Sequence, residues 1–208
     1  MSIVSQPISR GLSLPQIRPW RLGWLRRMIA ALACCFGLIL SYFMIGYYSG
    51  NFTTIVGGEA YRSGQLSPTQ IESVHSRLGI ASIINLRGEN RGTDWYDAER
   101  ATASRLGIEH LDFSMSARRE LQTEDALRLI QMMRDAPKPV LIHCEGGADR
   151  TGLAAALYIA GLKNGTGEQA EWHLSPVFGH LAIPGHSQTW AMDLSWQRMA
   201  PLLGVAGR

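Results

Sequence analysis

Residues 28–48 (MIAALACCFGLILSYFMIGYY) carry no charge, and no later stretch of the chain is apolar over a comparable length. About 20 apolar residues suffice for a helix to cross a bilayer. A cleaved signal peptide has a shorter apolar core, and no small-residue cleavage pattern follows Tyr48, so the run is expected to remain as an anchor. It is apolar all round, unlike a surface helix of a soluble domain. Beyond it the apolar runs shorten. Residues 80–86 (IASIINL), 108–113 and 139–143 (PVLIH) are brief and rich in branched side chains, the pattern of buried strands. Helices are expected between them, over 67–78 with Ser67 as N-cap and Pro68 in the first turn, over 94–106 up to Gly107, and over 123–134 with Thr123 as N-cap. A helix of small residues follows over 151–162, and two more over 168–175 and 186–200. Strands alternating with helices predict an α/β fold, a central and mostly parallel sheet flanked by helices, preceded by one transmembrane helix. The expected organisation is a leader (1–27), a transmembrane helix (28–48) and one domain (51–208).

Charge orients this arrangement. Arg10, Arg18, Arg21, Arg26 and Arg27 precede the apolar run, and the next basic residue is Arg62. The positive-inside rule then places the N-terminus in the cytoplasm and the domain across the membrane. Trp20 and Trp24 before the run, and Tyr42, Tyr47 and Tyr48 at its far end, suit interfacial belts. Pro7, Pro15 and Pro19 make the leader poor helix material, and it is expected to be disordered. The net charge is only +3 over 208 residues, with no basic cluster, so nucleic acid is not an expected partner. Of three cysteines, Cys34 and Cys35 lie in the apolar run, which leaves Cys144 alone in the domain without a disulfide partner.

The neighbours of Cys144 suggest what a lone thiol does here. Residues 143–152 read H-C-E-G-G-A-D-R-T-G, joining a predicted strand to a predicted helix. Such a loop forms an anion cradle from the backbone N–H groups of Glu145, Gly146, Gly147, Ala148, Asp149 and Arg150 and the positive end of the helix. Gly146 and Gly147 are expected to permit its tight path. Positive charge and a helix N-terminus favour a thiolate, a strong nucleophile towards phosphorus. The planar fork of Arg150 can grip two phosphate oxygens through the transition state.

The segment resembles the signature H-C-x5-R-[ST] of the cysteine-dependent protein tyrosine phosphatase superfamily, with His143, Cys144, Arg150 and Thr151 in place. Its G-A-D-R-T-G ending is similar to a bacterial dual-specificity-like branch. Tyr61-Arg62-Ser63-Gly64-Gln65 and Ile84-Asn85-Leu86-Arg87 resemble further motifs of that branch, and the likeness covers roughly 55–180. The resemblance implies a phosphocysteine intermediate on Cys144, with His143 orienting the loop and Thr151 assisting the thiolate. Combined with the charge asymmetry, it implies a single-pass protein of a bacterial inner membrane with its catalytic domain in the periplasm.

The resemblance also implies an aspartate that protonates the leaving oxygen from a loop before the signature strand. Residues 114–122 (SMSARRELQ) contain none. Asp112 at a strand end, Asp149 inside the cradle and Glu120 are the alternatives, the first two about level. In the myotubularin lipid phosphatases an aspartate at the position of Asp149 is assigned this role. Asp94, Trp95 and Glu99 read as structural, Arg118 and Arg119 as a basic pair near the site, and Arg62 as a surface arginine or an ion-pair partner of the loop. His173 and His180 lack metal-ligand spacing, so no metal and no cofactor are expected. A loop with Glu145, Asp149 and no lysine suits a singly phosphorylated group, with protein phosphotyrosine first and serine/threonine phosphates or a small phosphoester behind it. A rhodanese-like sulfurtransferase also places a cysteine in such a loop, but Arg150-Thr151-Gly152 after His143 favours a phosphatase. The missing loop aspartate keeps a non-catalytic phosphate-binding module as the alternative outside enzymes.

Overall fold

The structure, a computed structural model, describes residues 19–205. The expectations placed on Pro7, Arg10, Pro15, Arg18 and the rest of the first 18 residues lie outside it. The chain divides into two units, residues up to Tyr42 and residues from Phe43 onward. Helix α1 (Pro19–Tyr48) starts earlier than expected, with Pro19 at its first position, where a missing N–H costs nothing. In the first unit its segment Gly23–Tyr42 is long and apolar enough to cross a membrane, properties that a signal sequence shares. Its apolar side chains, including Leu32, Phe36 and Leu38, are exposed.

The second unit is built on a sheet of order β1-β2-β5-β3-β4. Its strands are β1 (Thr53–Val56), β2 (Ala60–Ser63), β3 (Ser82–Asn85), β4 (Glu109–Asp112) and β5 (Val140–His143). Only β1 runs antiparallel to its neighbour β2; the other pairings are parallel. The β1–β2 hairpin was not foreseen. All four residues of β2 are buried, yet two of them are Arg62 and Ser63, so no apolar run announces the strand.

Helices α2 (Pro68–Leu78) and α3 (Asp94–Leu106) cover one face of the sheet, and α4 (Thr123–Asp135), α5 (Asp149–Lys163) and α7 (Trp190–Leu202) cover the other. Short α6 (Gly167–Glu171) and a 3-10 turn (Pro176–Phe178) lie between α5 and α7. The region expected as a helix over 168–175 is therefore shorter, and α7 begins later than residue 186. Ser67 caps α2 in a reciprocal capping box with Gln70, as its sequence suggests. Thr123, expected as a cap, is instead the first residue of α4, and Gln122 holds the cap position without a side-chain bond.

Alternation along the strands decides which face each polar residue meets. In β5, Val140 and Ile142 join the core under α4 and α5, while Leu141 joins the core under α2 and α3. Side chains alternate with period two, so His143 falls on the α3 face. By the same count Arg62 of β2 falls on the α5 face.

Candidate active site

Strand β5 ends at His143, and α5 starts at Asp149, two residues before the expected helix, so that Arg150 is helical. Between them, Cys144 to Ala148 form a loop whose carbonyls are all held from outside. His143 Nδ1 lies 3.2 Å from Cys144 O, and Gln65 N donates to Glu145 O at 2.9 Å. Asn51 Nδ2 donates to Gly146 O at 3.1 Å, and Arg62 Nη2 donates to Gly147 O at 2.7 Å and to Ala148 O at 3.3 Å. A trans peptide is planar, so a carbonyl turned one way turns the next N–H the other. The N–H groups of Glu145, Gly146, Gly147, Ala148 and Asp149 therefore point away from those donors, as an anion cradle requires. Gly147 takes φ +69°, and a Cβ on it would lie 2.4 Å from Gly64 N, so only glycine fits. Gly146 was expected to be needed in the same way, but its φ is not left-handed and a Cβ there would meet nothing.

Cys144 is buried at the start of this loop. Arg150 Nε is buried and has no hydrogen-bond partner among the described residues. Thr151 is buried, and its hydroxyl donates to Ser63 O at 3.4 Å rather than to the thiol. A donor-lined cradle, a thiol at its base and an unpaired guanidinium N–H can together hold a tetrahedral oxyanion and attack its centre.

Arg62 is neither a surface residue nor an ion-pair partner. It is fully buried, with Nη1 at 2.9 Å from His173 O and 3.1 Å from His173 Nδ1, and with its guanidinium 4.1 Å from the Phe178 ring centre. Burial lowers its pKa to about 10, which leaves it charged at neutral pH. His173 is pushed down to about 4 by burial and by the Arg62 charge, so its neutral ring accepts at Nδ1.

Behind the loop, His143 Nε2 donates to Glu99 Oε1 at 3.1 Å, and His110 Nε2 donates to the same oxygen at 2.8 Å. Gln65 Nε2 fills Glu99 Oε2 at 2.5 Å, and Gln65 Oε1 accepts from Arg87 Nη1 at 3.0 Å. The Arg87 guanidinium stacks 3.5 Å above the Trp95 ring centre. Glu99 and Trp95, read from sequence as helix packing, thus reach the site.

The acid candidates separate. Asp112 accepts from Asn85 Nδ2 at 2.8 Å on one oxygen and from Tyr96 OH at 2.5 Å on the other. Glu120 pairs with Arg198 of α7. Arg118 and Arg119 are exposed on the 114–122 segment. Asp149 Oδ1 accepts from His180 Nδ1 at 2.7 Å, and Asp193 Oδ2 accepts from His180 Nε2 at 3.0 Å. Among the described residues, no group of three or more His, Cys, Asp or Glu side chains is arranged to hold a metal ion.

His180 is buried between two acceptors, so both ring nitrogens carry protons. Burial alone would lower its pKa; Asp149 and Asp193 outweigh this and raise it from 6.5 to about 9. The folded state therefore gains on the order of 3 kcal/mol below pH 6.5, lost as pH rises towards about 9. His173 acts at the other end: its lowered pKa removes a similar amount as pH falls from 6.5 towards about 4. Urea titrations across pH should show a stability maximum near neutrality, and His180→Gln should flatten the alkaline slope alone. An unchanged alkaline slope in that variant would refute the assignment.

Residues 59–179 match the family described as "Swiss Army Knife protein, DSP-PTPase phosphatase domain" (PTP-SAK). The chain belongs to this family. It is thus a member of the cysteine-dependent protein tyrosine phosphatase superfamily of dual-specificity-like type, and a phosphatase. Among solved structures the fold is similar to TpbA of P. aeruginosa, with 20% identity and a TM-score of 0.56 over 72% of this chain and 85% of that one. It is similar to the core catalytic domain of the PP-IP phosphatase SIW14 from S. cerevisiae, with 23% identity and a TM-score of 0.54 over 74% and 93%. PTPMT1 gives 15% identity and a TM-score of 0.55 over 74% and 98%. At these identities the likeness concerns the fold. No curated protein matches the sequence.

Proposed function

We propose that the chain is a membrane-anchored phosphatase that hydrolyses phosphate monoesters through a phosphocysteine on Cys144. The observation that carries this reading is the loop: outward-held carbonyls, a buried thiol, and Arg150 with a buried N–H left without a partner. Cys144 Sγ, as thiolate, attacks phosphorus in line with the ester oxygen. The S–P bond forms as the P–O bond breaks, and the leaving oxygen takes a proton through Asp149, which draws it from the His180 imidazolium. Water then attacks the phosphocysteine, Asp149 accepts its proton, and inorganic phosphate and the thiolate are released. The N–H groups of the loop and Arg150 hold the equatorial oxygens in both steps.

Asp149 is preferred to Asp112 because both oxygens of Asp112 already accept hydrogen bonds, whereas one oxygen of Asp149 has no partner among the described residues. The imidazolium of His180 keeps a proton one hydrogen bond from Asp149. Phosphotyrosine in proteins is the preferred substrate: TpbA carrying a cysteine-to-serine change is known in complex with pTyr, with a TM-score of 0.52 to this chain. A loop with two carboxylates and no lysine favours a single phosphate. Segment 28–48 is the anchor, and the arginines before it argue for a catalytic domain, 51–208, on the periplasmic side of a bacterial inner membrane. The test is phosphate release from phosphotyrosine peptides by the full chain in detergent. Asp149→Asn should lower kcat about 100-fold, and by less for p-nitrophenyl phosphate, whose leaving group needs less protonation. Asp112→Asn should lose far less. Equal losses in the two variants, or none in Asp149→Asn, would remove Asp149 from the role.

A further inference from the structure

We propose that Glu99 is a positioning residue that holds His143 as an imidazolium, so that a buried positive charge backs the Cys144 nucleophile; this rests on the reading of Cys144 given above. The warrant is the inventory of donors and acceptors. The two ring nitrogens of His143 lie 3.1 Å from Glu99 Oε1 and 3.2 Å from Cys144 O. Both partners are oxygens that only accept. A neutral imidazole has one N–H, and only the doubly protonated ring can donate to both. His143 is 1% exposed, so water cannot make good a missing bond. An imidazolium at such depth is tolerable only beside a counter-charge.

Glu99 supplies that counter-charge. It is 2% exposed, and its acceptor sites are filled by His143, His110 and Gln65. Burial would raise its pKa, yet the two histidines hold it down at about 2, so it is a carboxylate at neutral pH. The titratable groups around His143 are Glu99 on α3, His110 on β4, which reaches it through Glu99, and Cys144 beside it. Arg62 and Arg87 add their charges to the field at Cys144. The alternative is a carboxylate that merely fastens α3 to the sheet. Helix α3 is well placed for either role, because His143 falls on its face of the sheet.

Glu99→Gln separates the two. It keeps a carbonyl oxygen to accept from His143 and nearly the same volume, but it removes the charge. The readout is the rate at which iodoacetamide alkylates Cys144 in the full chain in detergent. Mass analysis of the peptide that carries Cys144 keeps it apart from Cys34 and Cys35. At about pH 6 the rate should fall roughly tenfold in Glu99→Gln, as expected for a thiolate made about one pH unit harder to form, while at about pH 9.5 it should match the wild type. Glu99→Asp should stay within about threefold of wild type at both pH values. A folded Glu99→Gln protein that alkylates at the wild-type rate near pH 6 overturns the proposal. Should Glu99→Gln fail to fold, His143→Gln removes the same charge and must show the same loss; an unchanged rate there overturns it equally. Alkylation needs no substrate. A shifted profile in a protein that releases no phosphate would therefore leave this inference standing and sink the phosphatase mechanism instead.

Discussion

Cys144→Ser is expected to lower phosphate release from phosphotyrosine peptides by on the order of 10⁴-fold or more, with the fold intact. The substitution exchanges one atom at a buried position, so packing around the loop barely changes. The chemistry changes completely. A serine hydroxyl keeps its proton at neutral pH, and no general base among the loop contacts is placed to remove it, since His143 is occupied on both nitrogens. The cradle itself remains, because its N–H groups are aimed by donors that do not involve Sγ. Binding of a phosphotyrosine peptide should therefore persist within a few-fold while turnover disappears, the signature of an interaction needed only in the reaction. Arg150→Lys should show a complementary pattern, losing both binding and turnover, because an ammonium cannot make two parallel bonds to phosphate oxygens. Rapid quenching should trap phosphoenzyme in the wild type and none in Cys144→Ser. Turnover within tenfold of wild type in Cys144→Ser would end the covalent mechanism.

The site divides sharply into parts visible in the chain and parts that are not. Cys144, Gly147 and Arg150 lie within seven consecutive residues, and their geometry follows from a strand, a short loop and a helix. Local pattern was enough to place them. The groups that aim the loop come from far away. Asn51 and Gly146 are 95 positions apart, and Arg62 and His173 are 111 apart. Asn51 sits in a left-handed conformation, φ 48°, just past the end of α1, where no motif marks it. Glu99 lies in an ordinary amphipathic helix and is 44 positions from His143. Its signal was weak: a glutamate on the inner face of α3, one residue in 13. His180 had no motif at all. Its spacing in the sequence speaks only to metal binding, whereas in the fold it binds two carboxylates. The β1–β2 hairpin is hidden in the sequence for a related reason. A strand built to carry a buried arginine lacks the apolar run by which strands are recognised.

Arg62 is where that gap has its largest consequence for stability. Arg62→Met keeps the length and much of the volume of the side chain and deletes the guanidinium. Two effects oppose each other. Removing a fully buried cation relieves a desolvation penalty, visible as the lowering of its pKa to about 10. Against this, Gly147 O, His173 O and His173 Nδ1 lose their donor at once, while Ala148 O keeps the N–H of Gly152 at 2.8 Å. A buried acceptor left without a partner costs about 1–3 kcal/mol, so three of them outweigh the relief. A net loss of about 3 kcal/mol is expected, which in a domain of this size lowers the melting temperature by roughly 6–12 °C. Activity should fall further than stability. Once the carbonyl of Gly147 is released, the peptide that follows it can rotate, and the N–H of Ala148 no longer converges with the others on a bound phosphate. Arg62→Lys should resemble Arg62→Met rather than wild type, because one ammonium cannot span the loop carbonyls and His173 together. Melting followed by tryptophan fluorescence and kcat/KM on the same preparations decide the matter. An Arg62→Met protein that melts within about 2 °C of wild type and keeps its activity would show that Asn51, Gln65, His143 and the glycines hold the loop without Arg62.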